Sequence, residues 1–458
     1  MHITMGDEGW CVMGRRYSRS LVAAGAPLGV LGSLCVAAVL PVVPASAATA
    51  PPHPYAFDDD ATKVAGTASN TDAQRLQPGT TYRSSFPRDE VKLYYRLQLD
   101  ATSNGYVSVT AVPKPTAQVV NTDGIKVSLQ DSDGRTCSFG EERFGAAESA
   151  RPIAAWASRS IEPGEVTCQE AGTYYVLVER TGISRSTPED WDLEIQYASE
   201  PALKQSGATV PPEVWDSASP QPPDGEPKPR KGGAGFSEAR GVAQGIWKDE
   251  IEAGETLFYR VPVDWGQQLF ATAELGSASG GDGYVGNALV MTLYNPVRGY
   301  VADTSTGYDG EQKSTALDPL PPVAYENRYD RDDQVNGVRF AGWYYLAVHL
   351  DLEVAEKIGH EPLGLILSVA VRGAAQAGPE YAGSPQPADA FSVTEGDKDA
   401  AESGETEDEA ARGDTMKLVA AGGIGTGTVL VLFLGLWTVV ARRRAAGVSR
   451  AQREYGTP

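Results

Sequence analysis

The stretch Leu93-Tyr94-Tyr95-Arg96-Leu97-Gln98-Leu99-Asp100 decides the fold, because it returns 164 positions later as Leu257-Phe258-Tyr259-Arg260-Val261-Pro262-Val263-Asp264. Leu93, Tyr95, Leu97 and Leu99 alternate with Tyr94, Arg96 and Gln98, so one side of a strand faces a core and the other faces water. Val127-Ser128-Leu129 and Met291-Thr292-Leu293 repeat at the same spacing. Further on, Ala171-Gly172-Thr173-Tyr174-Tyr175-Val176-Leu177-Val178 matches Ala341-Gly342-Trp343-Tyr344-Tyr345-Leu346-Ala347-Val348 at an offset of 170. Leu193-Glu194-Ile195 matches Leu365-Ile366-Leu367 at 172. The growing offset places insertions in loops of the second copy, where extra length costs little closure entropy. Every matching segment is short, rich in aromatic and β-branched residues, and bounded by Gly, Pro, Asp or Asn. Neither half carries a sustained 3.6-residue period. The expectation is a mainly β protein, with one antiparallel two-sheet sandwich at 60–200 and a second, tandem one at 236–373.

The ends of the chain set the expected compartment. Arg15, Arg16 and Arg19 precede an apolar run from Leu21 to Leu40, and Ala45-Ser46-Ala47 follows, the layout of a secretory signal over residues 1–47. Met13 serves as a start as well as Met1 does, since the first twelve residues resemble no signal n-region; the flanks of Arg15-Arg16 fit twin-arginine export poorly. Residues 418–441 form 24 consecutive positions without a charge, and Arg442, Arg443 and Arg444 follow. About 20 apolar residues cross a bilayer core, and Lys/Arg clusters stay inside. One C-terminal transmembrane helix is therefore expected, with 442–458 as a basic cytoplasmic tail and residues 48–416 outside. Gly423 and Gly427 form a G-x-x-x-G pair that permits close approach of a second copy or a partner helix, although glycine is frequent in membrane helices generally.

Charge excludes one class of partner. The 458 residues carry a net −21, and residues 48–416 hold 57 acidic against 30 basic residues, so phosphate backbones are repelled and no nucleic-acid partner is expected. At 41% apolar the chain still has the material for a sizeable core. Of four cysteines only Cys137 and Cys168 lie beyond the signal, 31 positions apart, and in an oxidising compartment they read as one disulfide. Closing a loop of that size contributes about 3–4 kcal/mol by the chain-entropy account.

Two segments differ from the rest. Eight prolines between Pro201 and Pro229 predict a stiff, Pro-rich linker over 201–235. Between 379 and 416 there are 11 acidic and two basic residues among Gly, Ser and Pro, a composition that predicts an extended, acidic, disordered stalk.

The order of motifs resembles the bacterial pre-peptidase C-terminal domains. In the first half Gly79, the strand Leu93–Asp100, the turn Asp131-Ser132-Asp133-Gly134, then Gly172-Thr173-Tyr174-Tyr175 and the strand Trp191–Tyr197 follow that family's sequence. In the second half the corresponding residues are Gly254, Leu257–Asp264, Asn295-Pro296 ending at Gly299, Gly342-Trp343-Tyr344-Tyr345 and Leu365–Val369. The resemblance implies jelly-roll-like β-sandwiches that bind polymers or surfaces, with calcium in some relatives and no catalytic residues. No protease domain precedes the repeats, so a role as an enzyme's accessory module in the same chain does not follow.

Candidate sites are few. His53, His349 and His360 show no H-E-x-x-H spacing and no G-x-S-x-G elbow accompanies them, so no catalytic residue and no cofactor is assigned and the protein is read as non-enzymatic. Asp58-Asp59-Asp60, and Asp330, Asp332 and Asp333 with Asn336, offer the clustered oxygens calcium needs; capping of turns is the competing explanation. The doubled aromatics Tyr94-Tyr95, Tyr174-Tyr175 and Trp343-Tyr344-Tyr345 must each send one ring outward, as a row for sugars or a protein partner or as a surface that loops cover. The combined expectation is a type I single-pass surface protein at the plasma membrane, presenting two sandwich modules to an extracellular polymer or protein. The alternative is a structural or accessory subunit of a membrane complex.

Overall fold

A computed structural model describes residues 54–412 except 90–91, 183–188, 219–220, 222 and 282, together with 432–439. The first half contributes ten strands: β1 (Thr62–Lys63), β2 (Gln74–Arg75), β3 (Thr80–Phe86), β4 (Lys92–Leu99), β5 (Asn104–Val112), β6 (Gly124–Gln130), β7 (Thr136–Arg143), β8 (Ile153–Arg159), β9 (Gly172–Thr181) and β10 (Trp191–Glu200). They form two sheets in the orders β1-β3-β10-β5-β8 and β2-β4-β9-β6-β7. The second half repeats this strand for strand. Its members are β11 (Lys228–Pro229), β12 (Arg240–Gly241), β13 (Gly245–Ile251), β14 (Thr256–Val263), β15 (Gln268–Leu275), β16 (Val285–Tyr294), β17 (Tyr300–Tyr308), β18 (Lys313–Ala316), β19 (Gly342–Leu350) and β20 (Leu363–Arg372). Its sheets run β11-β13-β20-β15-β18 and β12-β14-β19-β16-β17. In each half, apart from the two-residue edge strands, consecutive strands cross between two facing antiparallel sheets, with the exception of β6–β7 and β16–β17, which are neighbours in one sheet; this is the interleaving of a jelly roll.

The alternation read from sequence sets the cores. Leu93, Tyr95, Leu97 and Leu99 are buried with Val107, Val109, Val127, Val176 and Ile195 in the first sandwich. Leu257, Tyr259, Val261 and Val263 are buried with Met291, Leu346 and Leu365 in the second. Cys137 on β7 is bonded to Cys168 in the β8–β9 loop, with Cα atoms 5.7 Å apart.

Two expectations change. The residues of the Pro-rich linker do not merely space two independent modules. Leu203 bridges to Tyr381, and Lys228-Pro229 already belongs to the second sandwich as an edge strand beside β13. Proline is tolerated there because at an edge its missing N–H costs no ladder bond. Residues 379–412 of the acidic segment are ordered. Ser199 bridges to Gln386, Phe391 is buried, and helix α3 (Glu395–Ser403; α1 and α2 are Asp333–Gly337 and Glu353–Lys357) buries Ala400 and Ala401. Polar contacts with the second sandwich hold it in place. Arg230 donates to the carbonyls of Glu402 and Ser403, Arg240 pairs with Glu409 at 2.7 Å, and Trp343 Nε1 donates to Asp397 at 2.9 Å.

The expected signal and tail, Gly423 and Gly427, and most of the expected span lie outside the described residues. Within the span, 432–439 are helical with Leu432, Phe433, Leu434, Leu436, Trp437 and Val439 exposed. No helix among the described residues is long and apolar enough to cross a membrane.

Candidate functional site

The two sandwiches meet face to face. Residues on the outer side of the β3-β10-β5-β8 sheet pack on the outer side of the β14-β19-β16-β17 sheet. Ala154 joins Phe236, Phe258, Tyr294, Tyr345 and Ala347 in one apolar cluster, while Tyr106, Ala198, Val297, Phe340 and Phe391 form another. Outward strand positions, ordinarily solvated, are thereby buried.

Buried ion pairs lie between these clusters. Glu200, at the end of β10, receives two hydrogen bonds from the Arg328 guanidinium, both at 2.9 Å. Tyr106 and Asn104 donate to it at 2.6 and 2.7 Å, and Tyr381, from the acidic segment, at 2.8 Å. Burial opposes ionisation of Glu200. Arg328, Tyr106 and Asn104 outweigh that, and hold the carboxyl at about 2 instead of 4.5. A second buried pair joins Glu194 to Arg298, and Tyr55 donates to Glu194 at 3.0 Å. Removing one partner of such a pair costs far more than an exposed ion pair contributes.

Beside Glu200 and Arg328 the sheets part to leave a cavity of about 590 Å³. It is open to solvent and is walled by both sandwiches. Strands β7 and β8 and the disulfide form one side; Tyr300, Arg328, Asp333, Asn336 and Arg339 form the other. Arg339 is 3% exposed and sits in an aromatic box, its guanidinium carbon 4.9 Å from the Trp156 ring centroid, 5.2 Å from Phe340 and 5.3 Å from Tyr106. Burial pushes its pKa down. The Arg339 Nε is buried without a hydrogen-bond partner among the described residues. Glu162 is the nearby acid whose pKa burial raises and whose charge Arg339 favours.

The expected calcium cluster divides. The Asp330 side chain accepts from the Asp332 N–H at 2.9 Å, and Asp332 accepts from Gln334 and Val335 at the start of α1. The Asn336 amide donates to the Arg328 and Asp330 carbonyls. These are turn and cap contacts. Asp333 and Asn336 alone reach the cavity. Asp58 likewise accepts from the Asp60 N–H within its own turn. Among the described residues no three His, Cys, Asp or Glu side chains are grouped to hold a metal ion.

Among the described residues His349 is the candidate histidine with a serine neighbour. Its Nε2 lies 2.9 Å from Ser149 Oγ and its Nδ1 2.9 Å from Thr256 Oγ1. The ring is 1% exposed, and burial, followed by the nearby Arg151 charge, lowers its pKa to about 3. It is a neutral hydrogen-bond link across the interface, with a hydroxyl where a catalytic triad places a carboxylate.

Glu200, Arg328, Arg339, Tyr106 and Trp156 were not singled out from sequence. A usable signal existed in Trp343 to Val348, which is apolar on both faces, as strands buried on both sides are.

No protein-family model matches the chain, and no curated protein sequence matches it. Among solved structures it is similar to the pre-peptidase C-terminal domain of a Bacillus anthracis collagenase, with 16% identity over 28% of this chain and 94% of that one, at a TM-score of 0.18. The tandem CBM22-1–CBM22-2 domain of Paenibacillus barcinonensis Xyn10C is similar over 65% of this chain and 88% of that one, with 12% identity and a TM-score of 0.18. The ANX1 ectodomain of Arabidopsis thaliana matches over 70% and 98%, at 11% identity and the same score. The functional reading rests on the junction's own residues.

Proposed function

We propose that the chain is a non-enzymatic binding or adhesion protein of the cell surface, single-pass through 418–441, whose paired sandwiches engage an extracellular polymer or protein. In this reading both halves are domains of the pre-peptidase C-terminal type. The observation that carries it is the junction cavity: a solvent-open, polar and aromatic hollow of about 590 Å³, with walls from two sandwiches held by buried ion pairs. Hollows of roughly 300–1,000 Å³ with a few convergent polar groups are the usual form of ligand sites. Pre-set walls spare the cost of ordering them on binding. The Ser149–His349 contact is sealed inside the interface, which supports binding over hydrolysis at that pair.

The test has two arms. Protease added to intact expressing cells should remove the bulk of residues 48–412, and the purified full-length chain should co-sediment with isolated cell-wall polymer or capture a surface protein. Complete resistance of the chain on intact cells would discard the surface reading. Failure to retain either class of partner would discard the binding reading.

A further inference from the structure

Resting on that binding reading, we propose that the junction cavity is a glycan subsite that takes a hexuronate unit, with Arg339 receiving its carboxylate. Three observations converge. First, Arg339 is a buried guanidinium that lines an open cavity, and its Nε has no hydrogen-bond partner among the described residues. An unpaired buried charge is costly, and its aromatic box offsets only part of that. The planar fork of arginine matches a carboxylate with two parallel bonds. By contrast, neighbouring Arg328 is saturated by Glu200 and by the Tyr325 ring 3.4 Å away.

Second, the remaining charged groups of the wall are acids. Glu141, Glu162, Glu165 and Asp333 surround the same hollow. They repel a polyanion or a phosphate cluster, so the ligand carries a single negative charge. Glu141 is taken up by Arg143 at 2.7 Å, but Glu162, Glu165 and Asp333 also accept hydrogen bonds, so the ligand is rich in hydroxyl donors. A peptide carboxyl terminus also satisfies Arg339 and brings N–H donors, but each comes with a carbonyl acceptor that these acids cannot serve. A sugar acid inside an otherwise neutral glycan satisfies both.

Third, Phe139 is 61% exposed on β7 and lines the same cavity, with the Lys126 ammonium over its ring at 4.6 Å from the centroid. Apolar ring faces are what the C–H side of a pyranose packs against.

The test is calorimetric titration of the purified full-length chain at pH 7 and low salt with sodium D-glucuronate, D-glucose, sodium acetate and triglycine. Glucuronate should bind about tenfold or more tightly than glucose, the effect of one charge-assisted pair, and about tenfold or more tightly than acetate and triglycine, which make that pair but lack the sugar hydroxyls. Arg339→Gln should bring glucuronate down to the glucose level. Removing an unpaired charge should leave the chain folded; if that variant fails to fold, Phe139→Ala, at an exposed position, should weaken glucuronate about threefold. The assignment is overturned if glucose matches glucuronate, if glucuronate gives no heat, or if folded Arg339→Gln or Phe139→Ala binds it as wild type does. Triglycine or acetate equalling glucuronate overturns the sugar assignment in favour of a carboxylate alone. A chain that co-sediments with wall polymer yet ignores glucuronate keeps the binding function and loses this subsite.

Discussion

Tyr94, Arg96 and Tyr175 of the first sandwich and Phe258, Arg260 and Tyr345 of the second occupy equivalent outward positions on equivalent strands, yet they live in opposite environments. The first three are half-buried or exposed, whereas Phe258, Arg260 and Tyr345 are 1%, 2% and 4% exposed. The strands are alike; what covers them is not. On the second sandwich Phe236 stacks near Phe258 and Tyr345, with centroids 5.0 and 5.1 Å away, and the first sandwich closes over the rest. Arg260 lies 4.0 Å over Trp343 and donates to the Glu405 carbonyl of the acidic segment. Duplication therefore produced two copies of one sandwich and a single asymmetric interface, in which each copy uses the sheet its partner leaves outward. An interface built from different faces of the two copies can evolve charge pairs such as Glu200–Arg328 without symmetry demanding them twice.

Breaking the interface tests that contrast most strongly. Glu200→Ala strips Arg328 of its partner and leaves three further donors unserved, so unfolding stability should fall by as much as about 5 kcal/mol, with separate transitions for the two sandwiches in chemical denaturation. Next comes the matched pair of substitutions. Phe258→Ala should cost about 3 kcal/mol, and Tyr94→Ala, its equivalent in the first sandwich, less than about 1 kcal/mol. Equal losses would remove the distinction drawn between the two faces.

The pH dependence follows from two acids that move in opposite directions. Glu200 is depressed from 4.5 to about 2, so its contribution is present above pH 4.5 and is lost as pH falls through 2. Glu142, on β7 facing the second sandwich, is raised from 4.5 to about 8 by burial, with Asp303 adding to the effect and Arg151 opposing it. The folded state favours its protonated form, so stability should decline as pH rises from 4.5 to 8. Glu142→Gln should flatten the melting temperature across that window; an unchanged slope would place the titration elsewhere. The smallest effect belongs to the exposed pair of Arg83 and Asp192, 3.6 Å apart, where Arg83→Ala should change stability by no more than about 1 kcal/mol.

Much of the fold was legible. Period-two alternation in Leu93–Leu99 assigned the inward residues correctly, and the repeat at 164 to 172 foretold a second sandwich of the same strand order. The disulfide followed from counting cysteines. The site was not legible, since Glu194 and Glu200 look like any solvated acid on a strand, and Arg328 and Arg339 lie in an insertion of the second copy without a counterpart in the first. The acidic segment misled for a related reason. Window composition averages away Tyr381 and Phe391, two anchors that find partners only once both sandwiches are docked.

Local chemistry thus determined the strands, their inward faces and the duplication, because side-chain alternation and turn residues act over a few neighbours. Which outward faces are buried, which charges pair and where a cavity opens were decided by the docking of two sandwiches. Those contacts join residues more than one hundred positions apart, such as Glu200 and Arg328, and no local pattern encodes them.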